Sequence, residues 1–134
     1  MKEKHMTNNH IIAILKTMGD DVGLALREKH LPVKLLYALR RSLPEIEAAY
    51  RVYDSSLTEI CQRYSVTPGS LEDCAEDKQA QMAAEINELL NTETTVRVHT
   101  IAPEALDTCG AGGFDPLTYA EIDRLWWLID EEEG

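Results

Sequence analysis

Long apolar runs are absent from this chain, and its N-terminus, MKEKHMTNN, lacks the apolar core of a signal peptide. A membrane-spanning helix needs about 20 consecutive apolar residues, and a secretory signal needs an apolar core of roughly 7–15. The sequence therefore predicts neither, and it favours a cytoplasmic location. Cysteine is scarce too: Cys61, Cys74 and Cys109 form an odd set without a CxxC pair, which argues against a disulfide framework and for a reducing compartment.

Basic side chains are also few: 13 Lys and Arg residues stand against 24 Asp and Glu residues, and the formal net charge is −11. Such a surface repels phosphate groups, so direct binding of nucleic acid is disfavoured. A basic protein surface, or a protein groove that normally holds nucleic acid, is the better electrostatic match. The same charge is also typical of a chain that is merely soluble. The length of 134 residues predicts a single domain over 1–134.

The strongest pattern in the sequence is one apolar seam over about residues 32–64. Its positions alternate spacings of three and four residues, which is typical of a helix that faces partner helices in coiled-coil-like geometry. Pro44 lacks an N–H and predicts a kink or, alternatively, two helices broken at Ser42–Leu43. We favour one kinked helix because the apolar phase continues across Pro44. The seam positions are Leu36, Leu39, Leu43, Ile46, Tyr50, Tyr53, Leu57, Ile60 and Tyr64.

Two shorter amphipathic segments flank this seam. The first predicts a helix over about residues 9–29, bent at its two glycines because glycine weakens a helix. The second predicts a helix that begins at Ser70 or Asp73 and ends at about Leu90. Since each can cover only part of the long helix, we expect a mostly α fold with an antiparallel three-helix core.

Residues 94–101, TTVRVHTI, change from helical to alternating periodicity and predict one short β-strand. No second segment has comparable strand character. An unpaired strand leaves backbone groups unsatisfied, so a loop, the N-terminal residues or a second copy of the chain must pair with it. We expect residues 1–8 to be flexible and a homodimer to form through residues 94–101, with Val96 and Val98 at the contact.

Thr118 and Glu121 form a capping box, which predicts a last helix over about residues 119–130. The side chains of Trp126 and Trp127 cannot face one core, because consecutive helical positions differ by about 100° in direction. Trp126 fits the apolar stripe of this helix. Trp127 therefore points onto a neighbouring element, such as the strand, or into a partner surface, where tryptophan is a favoured anchor.

No group of residues has the spacing of a catalytic or metal site. The four histidines are scattered, and a zinc site from Cys74, Cys109 and His99 has no supporting spacing. The glycines after Cys109 indicate a flexible loop rather than a nucleophile on a turn, since no His–Asp arrangement accompanies it. We therefore assign no catalytic residue, cofactor or metal, and we do not expect an enzyme.

Acidic residues concentrate in two places that are expected to be solvated. One is a tail at 131–134. The other has carboxylates suited to a divalent ion, although aspartates near a helix start more often favour the helix dipole. Together with Trp127, Val96 and Val98, this second cluster makes up the candidate partner-binding residues. Its members are Glu72, Asp73, Glu76 and Asp77.

Four features carry a resemblance to known proteins. They are LPVK at 31–34, Tyr64 at the end of the long helix, ELLNTETTVRVHTI at 88–101 and LTYAEIDRL at 117–125. These are similar to a group of small helical proteins without established activity, encoded by phages and prophages of Gram-positive bacteria. Members of that group tend to carry a longer acidic, glycine-containing insertion after the tyrosine, whereas here TPGS leads almost directly onward. The resemblance implies a phage setting and a non-enzymatic role.

The function expected from these features is binding to another protein, of the host or of the phage. One use is a self-associating accessory or assembly component, located in the cytoplasm of a bacterial host or in the virion. The alternative is an acidic inhibitor of a host defence protein, which occupies a nucleic-acid groove by mimicry. A small enzyme or a metal-binding protein is the remote third interpretation.

Overall fold

The computed structural model describes residues 2–130, and most of them are helical, as the sequence predicts. A small two-stranded antiparallel sheet completes the fold. No helix in this part of the chain is long and apolar enough to cross a membrane. In chain order the elements are β1 (Lys2–Thr7), α1 (Asn8–Met18), α2 (Asp21–Glu28), α3 (Val33–Arg63), 3₁₀ turns at Leu71–Asp73 and Glu76–Lys78, α4 (Gln79–Leu90), β2 (Glu93–Val98), a 3₁₀ segment at Pro103–Thr108 and α5 (Tyr119–Asp123).

The long helix α3 runs without interruption through Pro44. This confirms the prediction of one helix rather than two, while the kink at Pro44 stays a prediction. The helix begins directly after Pro32, whose fixed φ suits a helix entry and whose carbonyl oxygen accepts the N–H of Leu36 at 3.0 Å.

The core-facing side of α3 lies to one side of the predicted seam. Leu35, Ala38 and Ser42 are outside the seam and fully buried, whereas Tyr50 is a seam position and is 36% exposed. The hydroxyl oxygen of Ser42 accepts the backbone N–H of His99 at 2.8 Å. The sheet therefore packs on α3 together with the other helices. This additional contact places the buried face of α3 to one side of the predicted seam.

Buried apolar side chains form two clusters along α3. The larger cluster surrounds the N-terminal half of α3 and includes residues of α1, α2, both strands and the segment after α5. The smaller cluster lies at the other end, where Ile60 and Cys61 pack with Val66, Cys74 and Met82. Both α1 and α4 contact α3. The antiparallel arrangement of three helices stays a prediction.

The first predicted helix is two helices. α1 ends at Met18 and α2 begins at Asp21, so the prediction of one helix over 9–29 is wrong. The carboxylate of Asp20 accepts the N–H of Gly23 at 2.8 Å and caps α2. Capping by aspartate satisfies backbone donors that a continuous helix would use otherwise, which favours a new helix start at this point.

Residues 71–78 do not begin the next helix as predicted. They form two 3₁₀ turns, and α4 starts only at Gln79. Between the turns, Cys74 and Ala75 have extended backbone, with ψ of 142° and 134°. Because the side chain of Cys74 is buried in the smaller cluster, it holds this extended connection against the end of α3.

Residues 2–7 form a strand, so the prediction of a flexible N-terminus is wrong for this segment. β1 pairs antiparallel with β2, and Lys4 lies opposite Val96. Val96 and Val98 face the core and are 3% and 0% exposed. The N-terminal residues therefore supply the missing partner strand within one chain.

The last helix is shorter than the predicted 119–130, because α5 ends at Asp123. The capping box that starts it is present as predicted. Beyond α5 the N–H groups bond three residues back, for example from Leu125 to the carbonyl oxygen of Ile122 at 3.0 Å. The chain is thus wound more tightly here than an α-helix.

These tight turns end where Ile129 pairs with Ile101 in a parallel bridge. The N–H of Ile101 donates to the carbonyl oxygen of Leu128 at 2.9 Å, and its own carbonyl oxygen accepts the N–H of Asp130 at 2.7 Å. Backbone groups engaged in this way cannot also continue a helix. The acidic tail predicted at 131–134 lies outside the described residues.

We expect Gly23→Ala to destabilise the protein by about 1–3 kcal/mol or more, because there is no room for an added methyl group. A Cβ on Gly23 would lie 2.6 Å from the Cα of Met18, where α2 crosses the end of α1. The matched control is Gly69→Ala, since a Cβ at that turn meets nothing within 4 Å. Urea unfolding measures both; equal midpoints for the two variants would contradict the close approach.

Candidate interaction surface

The two tryptophans have exchanged the positions predicted for them. Trp127 is fully buried, and its indole N–H donates to the carbonyl oxygen of Arg124 at 2.9 Å. Trp126 is 44% exposed. Tight turns with about three residues per turn move each side chain further around the axis than an α-helix does, so Trp127 reaches the core instead. Of the two positions expected for Trp127, the structure has the one against its own chain rather than the one at a partner surface.

Three large apolar side chains are exposed within the short segment formed by α5 and the turn that follows. Tyr119 is 89% exposed, Ile122 is 38% exposed, and Trp126 is the third. Tyr119 and Ile122 are three residues apart on α5 and so are neighbours on its surface, and Trp126 follows in the tighter turn after the helix. We call these three residues the aromatic stripe. Single exposed apolar side chains are ordinary, whereas a row of them is typical of an interaction site.

α1 supports the aromatic stripe from one side. The ring of His10 meets Trp126 edge to face, with centroids 5.7 Å apart. Arg124 donates through Nε to the carbonyl oxygen of Thr17 at 3.2 Å, and its guanidinium pairs with the carboxylate of Asp20 at 2.7 Å. This pairing lowers the pKa of Asp20. Arg124 therefore connects the turn that carries Trp126 to the end of α1 and the start of α2.

Glu121 anchors the start of α5 from below. Its carboxylate accepts from the ammonium of Lys29 at 2.7 Å and from the backbone N–H of Thr118 at 2.8 Å. Lys29 also donates to the carbonyl oxygen of Pro116 at 2.7 Å. Burial alone would raise the pKa of Glu121, but the bonds from Lys29 and Thr118 outweigh it and the pKa is lowered. The buried, charged side chain of Glu121 thus holds the start of α5, the helix that carries Tyr119 and Ile122, in place.

The sequence in and after the aromatic stripe is acidic. Asp123 is exposed within the span of the stripe, and Asp21 is exposed on α2, which contacts α5. In the sequence, three glutamates follow at 131–133. The stripe is therefore an apolar row on a negatively charged part of the chain.

The structure does not bring the predicted partner-binding residues together on one surface. Val96, Val98 and Trp127 belong to the larger cluster and are covered by their own chain. The acidic residues predicted with them are exposed on the two 3₁₀ turns beside the smaller cluster, and none of them forms an ion pair within residues 2–130. These four are Glu72, Asp73, Glu76 and Asp77.

Between Lys2 and Asp130, no three His, Cys, Asp or Glu side chains lie close enough together to hold a metal ion. Cys74 packs in the smaller cluster and Cys109 against the larger one, so these two are not brought together with His99. Burial raises the pKa of the Cys109 thiol, although Lys29 opposes the shift. Since the thiolate is the nucleophile, this environment disfavours covalent chemistry at Cys109.

We expect Glu121→Gln to reduce the free energy of unfolding by about 1–3 kcal/mol at neutral pH, because Lys29 then loses its charged acceptor. A lowered folded-state pKa contributes stability above the unfolded pKa of roughly 4.3 and loses it as the pH falls through the folded value. The gap between wild type and variant should therefore close below about pH 4. Urea unfolding across this pH range measures it, with the exposed Glu59→Gln as the matched control; a gap independent of pH would contradict the ion pair.

No family model, no curated protein and no solved structure matches this chain. Its function is therefore inferred from the surface that its own residues form.

Proposed function

We propose that the protein is a binding module whose aromatic stripe docks onto an apolar, basic surface of another protein. The exposure of Tyr119, Ile122 and Trp126 within one short segment carries this proposal. Tryptophan and tyrosine are enriched among the residues that dominate binding energy, because they bury a large area and order few rotatable bonds.

Composition supports this interpretation of the stripe. The chain has only two Trp, five Tyr and one Phe, and its larger cluster is mainly aliphatic. Even so, one tryptophan and one tyrosine stand in the stripe. Full burial of a large apolar side chain is worth about 1.5–3 kcal/mol, so a partner that covers the stripe gains several kcal/mol from area alone.

The stripe is also held in place before any partner arrives. Glu121 fixes the helix start through Lys29, and Arg124 fastens the following turn to Thr17 and Asp20. A surface that is already ordered loses less conformational entropy on binding, which raises affinity for the same contact area.

Charge narrows the kind of partner. The net charge of −11 attracts basic surfaces and repels acidic ones, and this field increases the association rate at low salt. Asp123 brings the same sign to the stripe itself. The fitting partner therefore presents an apolar pocket or ridge with lysine or arginine residues around it.

A non-enzymatic role agrees with the use of the buried polar side chains. Buried Asn8, Ser42 and Glu121 each serve a structural hydrogen bond, which supports a non-enzymatic role. The phage setting and the role as an accessory or assembly component stay predictions. Self-association through residues 94–101 also stays a prediction. Two features oppose it: β1 already pairs with that strand, and two copies of the same negative charge repel each other.

A second candidate function is mimicry of nucleic acid by the acidic segment 71–78. The specific observation in its favour is that four carboxylates are exposed there and unpaired within the described chain. Such a segment would occupy a basic groove of a host defence protein through charge, with little apolar contact.

The two candidates separate in one capture experiment with the full chain as bait for bacterial host proteins. The stripe variant carries Trp126→Ser, and the matched control carries Tyr37→Ser, an exposed aromatic elsewhere on the molecule. A third bait neutralises the acidic segment by amide substitution at Glu72, Asp73, Glu76 and Asp77. Each bait is first shown to unfold at the same temperature as wild type.

The stripe proposal expects at least a tenfold loss of specific partner in the stripe variant, because truncation of a tryptophan anchor typically costs 2 kcal/mol or more. The Tyr37→Ser control should keep the partner. Loss only in the acidic-segment variant, together with release by salt, would favour mimicry instead. Recovery of only further copies of the bait would overturn the stripe proposal and support self-association.

A further inference from the structure

A cleft lies between the end of α1, α2 and the N-terminal half of α3, on a part of the molecule that the aromatic stripe does not use. Its volume is about 540 Å³, within the range of sites for small ligands. The wall along α3 extends past Pro44. The apolar part of the lining, about half of it, is formed chiefly by Leu15, Met18, Leu36, Leu39 and Leu43.

Two arginines from different helices line the same cleft. Arg27 comes from α2 and reaches the carbonyl oxygen of Met18 only at 3.5 Å, the long limit of a hydrogen bond. The Arg40 guanidinium on α3 forms no ion pair or hydrogen bond within residues 2–130. Elsewhere in this acidic chain, Lys29 and Arg124 are paired with carboxylates. Two guanidiniums next to apolar walls thus retain donors for an anion.

One acidic residue limits the charge of that anion. Glu47 lines the cleft as well, so the lining carries two positive charges and one negative charge. A ligand with a single negative charge neutralises the remainder, whereas a polyanion would meet repulsion from Glu47. Planar guanidinium groups bind a carboxylate particularly well because they donate two parallel N–H groups.

We propose that this cleft binds a small amphipathic monocarboxylate, with its apolar body against the leucines and its carboxylate between Arg27 and Arg40. Fatty acids of medium chain length and acylated amino acids share this chemistry. The site is independent of the partner surface on α5.

Calorimetric titration of the full chain with decanoate, below its micelle concentration, tests the proposal. Decanol and decyltrimethylammonium have the same apolar tail without the negative charge, and they serve as ligand controls. We expect saturable binding of one decanoate and weak or no binding of the other two. Amide resonances that shift on titration should map to the walls of the cleft.

Variants locate the carboxylate. Arg40→Gln removes an exposed guanidinium and should weaken decanoate binding about tenfold, because a charge-assisted hydrogen bond is lost. Arg51→Gln is the matched control, since Arg51 is exposed on α3 but does not line the cleft. Trp126→Ser should bind decanoate like wild type.

Three results would overturn the proposal: no saturable binding, equal binding of decanol and decanoate, or equal affinities of Arg40→Gln and Arg51→Gln. If decanoate binds, titration with an acylated glycine distinguishes the two ligand classes. A site for acylated amino acids binds it more tightly than decanoate, and a site for fatty acids does not. None of these outcomes depends on whether the aromatic stripe binds a protein.

Discussion

The pairing of Ile101 with the chain around Ile129 is the interaction on which the surface of this protein depends. Two backbone hydrogen bonds at Ile101 stop the last helical segment and draw it into line with the end of β2. β1 then closes over the same place, since the ammonium of Lys4 donates to the carbonyl oxygen of Trp127 at 3.0 Å and that of Lys2 pairs with Asp130 at 2.6 Å. The first and last described segments therefore hold each other. This closure holds the turns in which Trp126 is exposed and Trp127 is buried.

Local signals in the sequence predicted the elements that depend on neighbouring residues. The unbroken apolar phase across Pro44 identified α3, β-branched alternation identified β2, and the Thr118–Glu121 box identified the start of α5. Each of these signals acts within a few residues of the chain, which is the range over which propensity and capping operate.

The features that were missed depend on contacts between distant residues. β1 has the sequence KEKHMT, and its lysines are typical of a solvated chain terminus. In the folded chain, however, Lys2 and Lys4 donate to acceptors at Asp130 and Trp127. The end of the last helical segment is set by Ile101, which precedes its partner Ile129 by 28 residues and is invisible to any local pattern. Because the two tryptophans were oriented by assuming an α-helix to 130, their exchange followed directly from that error. The exposed tryptophan therefore lies in the segment that the sequence indicated, but it is Trp126 rather than Trp127.

Two apolar clusters of unequal size on one continuous helix have a consequence for how the molecule opens. The smaller cluster has five buried members, and it is covered by α4 and the two short 3₁₀ turns before it. Regions with fewer buried contacts open at lower free energy than the global transition. Amide protons of α4 should therefore exchange with solvent through a partial opening that leaves the sheet, α1 and α5 intact. The protein then unfolds locally at the end of α3 that carries the smaller cluster, while the other end stays folded. The aromatic stripe belongs to the end that stays folded.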